Sequence, residues 1–380
     1  MEPNMIGAYG PWAASLTGDS PARLSFRNDQ FHDLNAWRSV ARARFDACLL
    51  TPETGSTPQA DVQHAFTFDG LEVEHLTWQL PYGPPTEAIV LKPAGAKGKL
   101  PAVIGLHDHG GDKYFGTRKI SNISQDIHPM MAKHQAEYYG GIAWANALAK
   151  RGYVVLVHDA YAFASRRVRA ADVPTVIRKT LVEKNPEDEA EIVAYNTWAG
   201  THEHLMAKSL FSAGTTWPGV FLAEDRRAVD YLVGRPDVDA DRLGCAGLSG
   251  GGLRTVYLAG ADDRIKAACC VGMMTTWRDY LLYKSHTHTW MVYIPGLPLD
   301  LDYPEILGLR VPLPTLVLNN IDDSLFSLAE MHRADRILGD VYRKAGATEA
   351  YRCAFYPGPH KFDLPMQADA FAWFDRWLKS

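Results

Sequence analysis

The feature that most constrains this chain is a series of short, unbroken apolar runs separated by helical patterns. "LPAVIGLH" (Leu100–His107), "YVVLVHDA" (Tyr153–Ala160), "RLGCAGLS" (Arg242–Ser249), "IKAACCVGMM" (Ile265–Met274) and "LPTLVLNN" (Leu313–Asn320) are of this kind. A strand with one wet face alternates polar and apolar residues. A strand covered on both faces has no reason to. "AWANALAKRG", "GVFLAEDRRAVDYLVGRP", "GGGLRTVYLAG" and "AEMHRADRILGDVYRKAG" lie between or beside these runs with helical spacing. "YRCAFYPG" and the helix "MQADAFAWFDRWL" close the chain. Strands alternating with helices predict an α/β fold with a mostly parallel central sheet flanked by helices.

The beginning reads differently. "LEVEHLTWQL" (Leu71–Leu80) alternates, "PYGPP" is a turn, and "TEAIVLKP" (Thr86–Pro93) follows, which predicts an antiparallel start to the sheet. Residues 1–70 are expected to form an N-terminal extension packing on the core, with one helix over Asp33–Leu50. Residues 71–380 are expected to form one sheet-based domain, with insertions at about 161–216 and 277–310. An apolar share of 47% in 380 residues is enough for a sizeable core.

Charge and cysteine content narrow the partners. The net charge is −5 with both signs interspersed, so nucleic acid and anionic membrane are not expected partners. Five cysteines without a CxxC pair argue against a disulfide framework or zinc ribbon and for a reducing compartment. The first residues lack a basic start and a long apolar run, so no signal peptide is read. No stretch of about 18 apolar residues occurs. A cytoplasmic protein without cofactor is the expectation, and a homo-oligomer is compatible with it.

"LGCAGLSGGGLRT" (Leu243–Thr255) places five glycines and a serine between a strand and a helix. A phosphate-binding P-loop fails, because Leu253 and Arg254 stand where Lys and Ser/Thr are required. A dinucleotide G-x-G-x-x-G fails, because Thr255 replaces the third glycine. G-x-S-x-G fits as Gly247, Leu248, Ser249, Gly250 and Gly251. Such a serine sits on a strained turn that needs small neighbours, with a helix N-terminus beneath it.

A serine hydroxyl needs a base, and the base needs an orienting acid. In one recurrent class of α/β serine hydrolases the chain order is Ser, then Asp/Glu, then His. Downstream, "LPTLVLNNIDDSLFS" offers Asp322 and Asp323, and "YRCAFYPGPHKF" offers His360. His332 falls mid-helix and reads as a surface residue. The N–H of Gly250 is one expected oxyanion donor. The loop "HDHGG" after an earlier strand supplies the other, at His109.

Three H-x-H pairs invite a metal reading: His107/His109, His202/His204 and His286/His288. That reading needs more ligands on later strand ends and leaves Ser249 and His360 unexplained. His202/His204 read as a polar helix face. His286/His288 either line a pocket or pack an insertion.

The ordered set HDHGG, GLSGGG, the NIDDSLF turn and PGPHKF resembles the α/β-hydrolase superfamily, over roughly residues 70–375. Within it the chain is similar to acetyl xylan esterases and dienelactone-hydrolase-like serine esterases. "RPDVDADRLGCAGLSGGG" is also shared with prolyl oligopeptidase catalytic domains. The resemblance implies the α/β-hydrolase fold and a triad of Ser249, Asp323 and His360. "NIDDSLF" resembles the G-x-x-D-x-x-F turn, which favours Asp323 over Asp322. "HDHGG" resembles the HGxG oxyanion loop, with Asp108 in place of the first glycine. There are departures. Dienelactone hydrolases use a cysteine, prolyl oligopeptidases carry a propeller that 70 to 100 residues cannot build, and acetyl xylan esterases often have an RGQ-type loop.

The expected function is a serine carboxylic ester hydrolase acting through an acyl-enzyme on acylated carbohydrate or similar small esters. Trp277 and Trp290, in the second insertion, are expected to stack on a sugar ring. A prolyl-oligopeptidase-like peptidase and a catalytically silent binding module are the alternatives.

Overall fold

The structure is a computed structural model that describes residues 3–18 and 21–379. Its centre is a nine-stranded sheet: β1 (Asp61–Phe68), β2 (Leu71–Trp78), β3 (Thr86–Pro93), β4 (Leu100–Leu106), β5 (Val154–His158), β6 (Val238–Leu248), β7 (Ile265–Val271), β8 (Thr315–Asn320) and β9 (Tyr351–Tyr356). The spatial order is β1-β2-β3-β5-β4-β6-β7-β8-β9. The first three strands and the β3–β5 pair are antiparallel. From β5 to β9 every neighbouring pair is parallel.

The continuous apolar runs follow from this placement. On β4, Ala102, Ile104 and Leu106 face one core together with Cys245, Val256 and Val317. Val103 faces the other, with Trp144, Leu316 and Phe374. Helices Leu34–Leu49, Trp217–Val233, Gly250–Ala261 and Leu328–Lys344 cover the first face. Helices Trp144–Lys150 and Leu364–Leu378 cover the second. A central strand buried on both sides has no solvent side to mark with polar residues.

The sheet begins earlier than the sequence pattern indicates. Strand β1 lies inside the N-terminal extension and pairs with β2 from Asp61↔Thr77 to Phe68↔Leu71. It is an edge strand whose Val62 and Phe66 stay exposed, so burial imposes no alternation on it. The helix Leu34–Leu49 of the same extension buries Trp37, Ala41, Phe45 and Leu49 against the core. Its first turn is capped by Asp33, which accepts from the Ala36 N–H.

Both insertions carry helices. The first contains Glu189–Ser212, 24 residues long. The second folds inward around Trp277, Tyr280 and Tyr303, whose ring centroids lie 5.2 to 5.8 Å apart. Among the described residues no helix is long and apolar enough to cross a membrane. The five cysteines are unpaired, and all but Cys353 are buried.

Candidate active site

Strand β6 ends at Leu248 and a helix starts at Gly250, so Ser249 must turn the chain in one residue. It does so at φ 57° and ψ −118°, a conformation that costs a non-glycine residue roughly 1–3 kcal/mol. Backbone bonds hold it there. The Ser249 N–H donates to Val271 O at 2.9 Å, and its carbonyl accepts from the Leu253 N–H at 2.8 Å. The turn also presses on the neighbouring strand. A Cβ on Gly247 or on Gly251 would run into the Leu106 carbonyl of β4. The G-x-S-x-G spacing is therefore a clearance requirement between two strands and a helix.

Asp323 and His360 come from the loops that follow β8 and β9. Asp323 Oδ2 lies 2.6 Å from His360 Nδ1, and Asp323 Oδ1 accepts from the Leu325 N–H at 3.0 Å. Asp322 turns the other way. Its Oδ2 accepts from the Gly358 N–H at 2.8 Å and so fastens the loop that carries His360. Asn320 Oδ1 adds a bond from the Lys361 N–H at 3.1 Å. The imidazole rests over Gly272, at φ 55°, where a Cβ would stand 2.9 Å from the His360 ring. With the carboxylate at Nδ1, Nε2 is the free nitrogen. It is buried and has no hydrogen-bond partner among the described residues. His360 and Ser249 line the same cavity of about 410 Å³. The Ser249 hydroxyl does not bond to Nε2 in this structure, and such bonds often close only with substrate in place.

The loop after β4 forms the opposite wall. Asp108, His109, Gly110 and Gly111 all line the cavity. His109 N is close to the turn, 2.9 Å from where a Cβ on Gly250 would sit. Neither the His109 nor the Gly250 N–H meets a protein acceptor among the described residues. Two backbone donors thus converge beside Ser249.

Side chains beneath that loop hold its shape. Asp108 is buried and accepts from the Tyr139 hydroxyl, and its Oδ1 is 3.1 Å from His134 Nε2. Burial pushes its carboxyl up, but His134 and Lys119 more than offset this and hold it well below the usual range. His109 Nε2 lies 2.9 Å from Glu203 Oε1, and its Nδ1 accepts from the Gly111 N–H at 3.0 Å. Burial and the Lys113 ammonium push the His109 imidazole below its ordinary value. Lys113 and Glu203 form a buried ion pair.

The remaining wall comes from the second insertion through Thr287, His288, Thr289, Met291 and Val292. Of the two openings the sequence left for His286/His288, His288 lines the cavity. Its Nδ1 is 3.2 Å from the Lys284 carbonyl, and burial pushes its pKa down to about 4. His202 stacks on Trp198 at 4.6 Å, and His204 is exposed. Among the described residues no cluster of three or more His, Cys, Asp or Glu side chains is arranged to hold a metal ion.

The two tryptophans expected to stack on substrate are not in this cavity. Trp277 is only 5% exposed, and its Nε1 donates to Leu301 O at 3.0 Å. The insertion folds its own aromatics inward, which places that indole in the core. Trp290 is exposed and packs edge-on against Phe211, while its neighbours Thr289 and Met291 line the wall. Sequence reasoning missed Lys113, Lys119, Glu203, Tyr138 and Gly272. Only Glu203 had a visible signal, standing between the two histidines of "HEH".

Comparison with known proteins agrees with this architecture. Residues 217–301, which contain Ser249, match the prolyl oligopeptidase family. The chain is similar to YtaP of Bacillus subtilis (strain 168), assigned as a hydrolase, with 26% identity over 294 residues. That alignment covers 77% of this chain and 83% of YtaP. Among solved structures, an assigned acetyl xylan esterase of Bacteroides fragilis superposes with a TM-score of 0.65 at 16% identity, covering 93% of this chain and 83% of that one. A glucuronoyl esterase from Solibacter usitatus gives 0.61 at 14% identity, covering 93% and 97%. The chain has the α/β-hydrolase fold.

Proposed function

We propose that this chain is a serine carboxylic ester hydrolase that works through Ser249, His360 and Asp323. Ser249 Oγ attacks the ester carbonyl, and His360 Nε2 takes its proton. The His109 and Gly250 N–H groups receive the charge that develops on the carbonyl oxygen. His360 then protonates the departing alcohol, leaving an acyl-enzyme. Water attacks that acyl group with His360 as base, which returns Ser249. Asp323 stays ionised, fixes the imidazole with its proton on Nδ1, and offsets the imidazolium charge.

The observation that carries this reading is the combination of a serine held at φ 57° with an Asp–His pair 2.6 Å apart on the same cavity. An acylated carbohydrate or similar small ester is the proposed substrate. The support is a cavity that mixes polar groups at Tyr138, Thr289 and His288 with apolar ones at Leu253, Met273 and Val292. The esterase names among the structural neighbours point the same way. Hydrolysis of short-chain p-nitrophenyl esters and acetylated sugars, lost in Ser249→Ala, is the test.

The prolyl oligopeptidase match over 217–301 favours a second reading, a serine peptidase using the same three residues. It predicts faster cleavage of a chromogenic proline amide than of an acetate ester. The ester hydrolase reading predicts the reverse.

A further inference from the structure

Lys119 is fully buried and has no part in the proton transfers described above. Its ammonium donates to two consecutive backbone carbonyls, Asp108 O at 2.9 Å and His109 O at 2.8 Å. The Asp108 carboxylate is farther off, with Oδ2 at 3.7 Å, and already accepts from Tyr139 and contacts His134. The Phe163 ring lies 5.0 Å away on another side. A buried ammonium is costly unless its donors are used, and here the backbone of one loop uses them.

The choice of carbonyls matters. Asp108 C=O and His109 N–H are the two ends of one peptide unit. In a trans peptide they point in opposite directions. Lys119, with His107 Nδ1 donating to the same oxygen at 3.0 Å, fixes that carbonyl and thereby the N–H on the far side, where the loop faces the cavity and Gly250. A full positive charge on the oxygen also draws electron density from the amide, which makes its N–H a stronger donor. The next unit, His109 C=O and Gly110 N–H, is held in the same way.

We propose that Lys119 is a positioning residue that orients and polarises the Asp108–His109 peptide as the oxyanion donor. This rests on the ester hydrolase reading, in which that N–H meets a developing oxyanion. Lys119 never touches substrate. Its effect belongs to the transition state and not to ground-state binding.

The test compares Lys119→Met and Lys119→Gln with the wild-type chain, using p-nitrophenyl acetate and phenylboronic acid, which forms a tetrahedral adduct on serine. Methionine keeps the apolar stem and removes the charge. Its kcat should fall about ten- to hundredfold with KM within about twofold, and boronate affinity should fall in parallel with kcat/KM. Glutamine, a neutral donor, should recover part of the loss. If the methionine variant does not fold, the glutamine variant alone must show the kcat loss at unchanged KM. A folded variant with wild-type kcat, or one whose KM rises while kcat holds, overturns the proposal. A wild-type chain that neither turns over esters nor labels at Ser249 with a fluorophosphonate overturns the ester hydrolase reading itself. Labelled wild-type chain with unaffected Lys119 variants overturns only the role of Lys119.

Discussion

Two of the aspartate–histidine pairs on this sheet have contrasting surroundings. Asp323–His360, 2.6 Å apart, lies on loops past the ends of β8 and β9. Asp225–His158, 2.9 Å apart, lies beside the sheet under the helices, with both side chains about as buried as side chains become. The residue types and the contact are the same. The surroundings differ. Arg254 fills the space around the second pair, with its guanidinium on Asp225 and 2.8 Å from His158 Nε2. Around the first, the free nitrogen faces a cavity that also holds a strained serine and two unused backbone N–H groups. A carboxylate–imidazole contact is thus either a structural tie or a catalytic device. What decides is where the second nitrogen points: His360 Nε2 lies on a cavity shared with a serine, whereas His158 Nδ1 is sealed in the core.

That contrast can be broken by mutation. The largest effect is expected at the proposed nucleophile and base. Ser249→Ala and His360→Ala should each lower ester kcat by about a hundred-thousandfold or more, with the thermal midpoint little changed. Asp323→Asn should cost about ten-thousandfold in kcat. Asp322→Asn, whose carboxylate only fastens the Gly358 loop, should stay within about tenfold in the same assay. At the other pair the sign of the result changes. Asp225→Ala leaves Arg254 buried and unpaired, and should cost about 3–5 kcal/mol in denaturant unfolding. The fraction that remains folded should keep its kcat.

A smaller effect sharpens the comparison from the cavity side. Glu203 ties the first insertion to the loop after β4 through His109 and Lys113. Burial raises its carboxyl, but bonds from His109 and Lys113 outweigh this, so its folded value lies below the ordinary 4.5. A lowered folded value contributes stability above the unfolded value and loses it as pH falls through the folded one. Wild-type stability should therefore decline on acidification below about pH 4.5 more steeply than that of Glu203→Gln, as followed by thermal unfolding across pH. The smallest effect is expected at Trp290, which does not line the cavity. Trp290→Ala should change kcat/KM on an acetylated sugar by less than about twofold.

How far the sequence discloses all this depends on range. β4 to β8 are legible because a strand covered on both faces must be apolar throughout, and Val103 and Ile104 report that directly. β1 is not, because an exposed edge strand leaves its residues unconstrained. Ser249 and His360 are legible because a tight turn needs small neighbours and because both follow buried strands in the order the resemblance implies. Asp323 is favoured over Asp322 in the sequence only through the resemblance of its turn; in the structure their side-chain directions differ, Asp323 toward His360 and Asp322 toward Gly358. Lys119 leaves no local mark, and Glu203 leaves only its place between two histidines. Each acts on a loop of distant or non-adjacent sequence, and a lysine or glutamate in isolation reads as surface. Trp277 misled for the opposite reason. Aromatics in an insertion suit a substrate wall, but an insertion must also bury a core of its own.

The proposed mechanism requires that Ser249 become acylated with help from His360. Intact-protein and peptide mass spectrometry after treatment with a fluorophosphonate measures this directly. A single adduct on the peptide carrying Ser249, at least a hundredfold slower to form in His360→Ala, is the expected result, scaled to the loss of general-base help. An adduct on another residue, or equally fast labelling of Ser249 without His360, would contradict it.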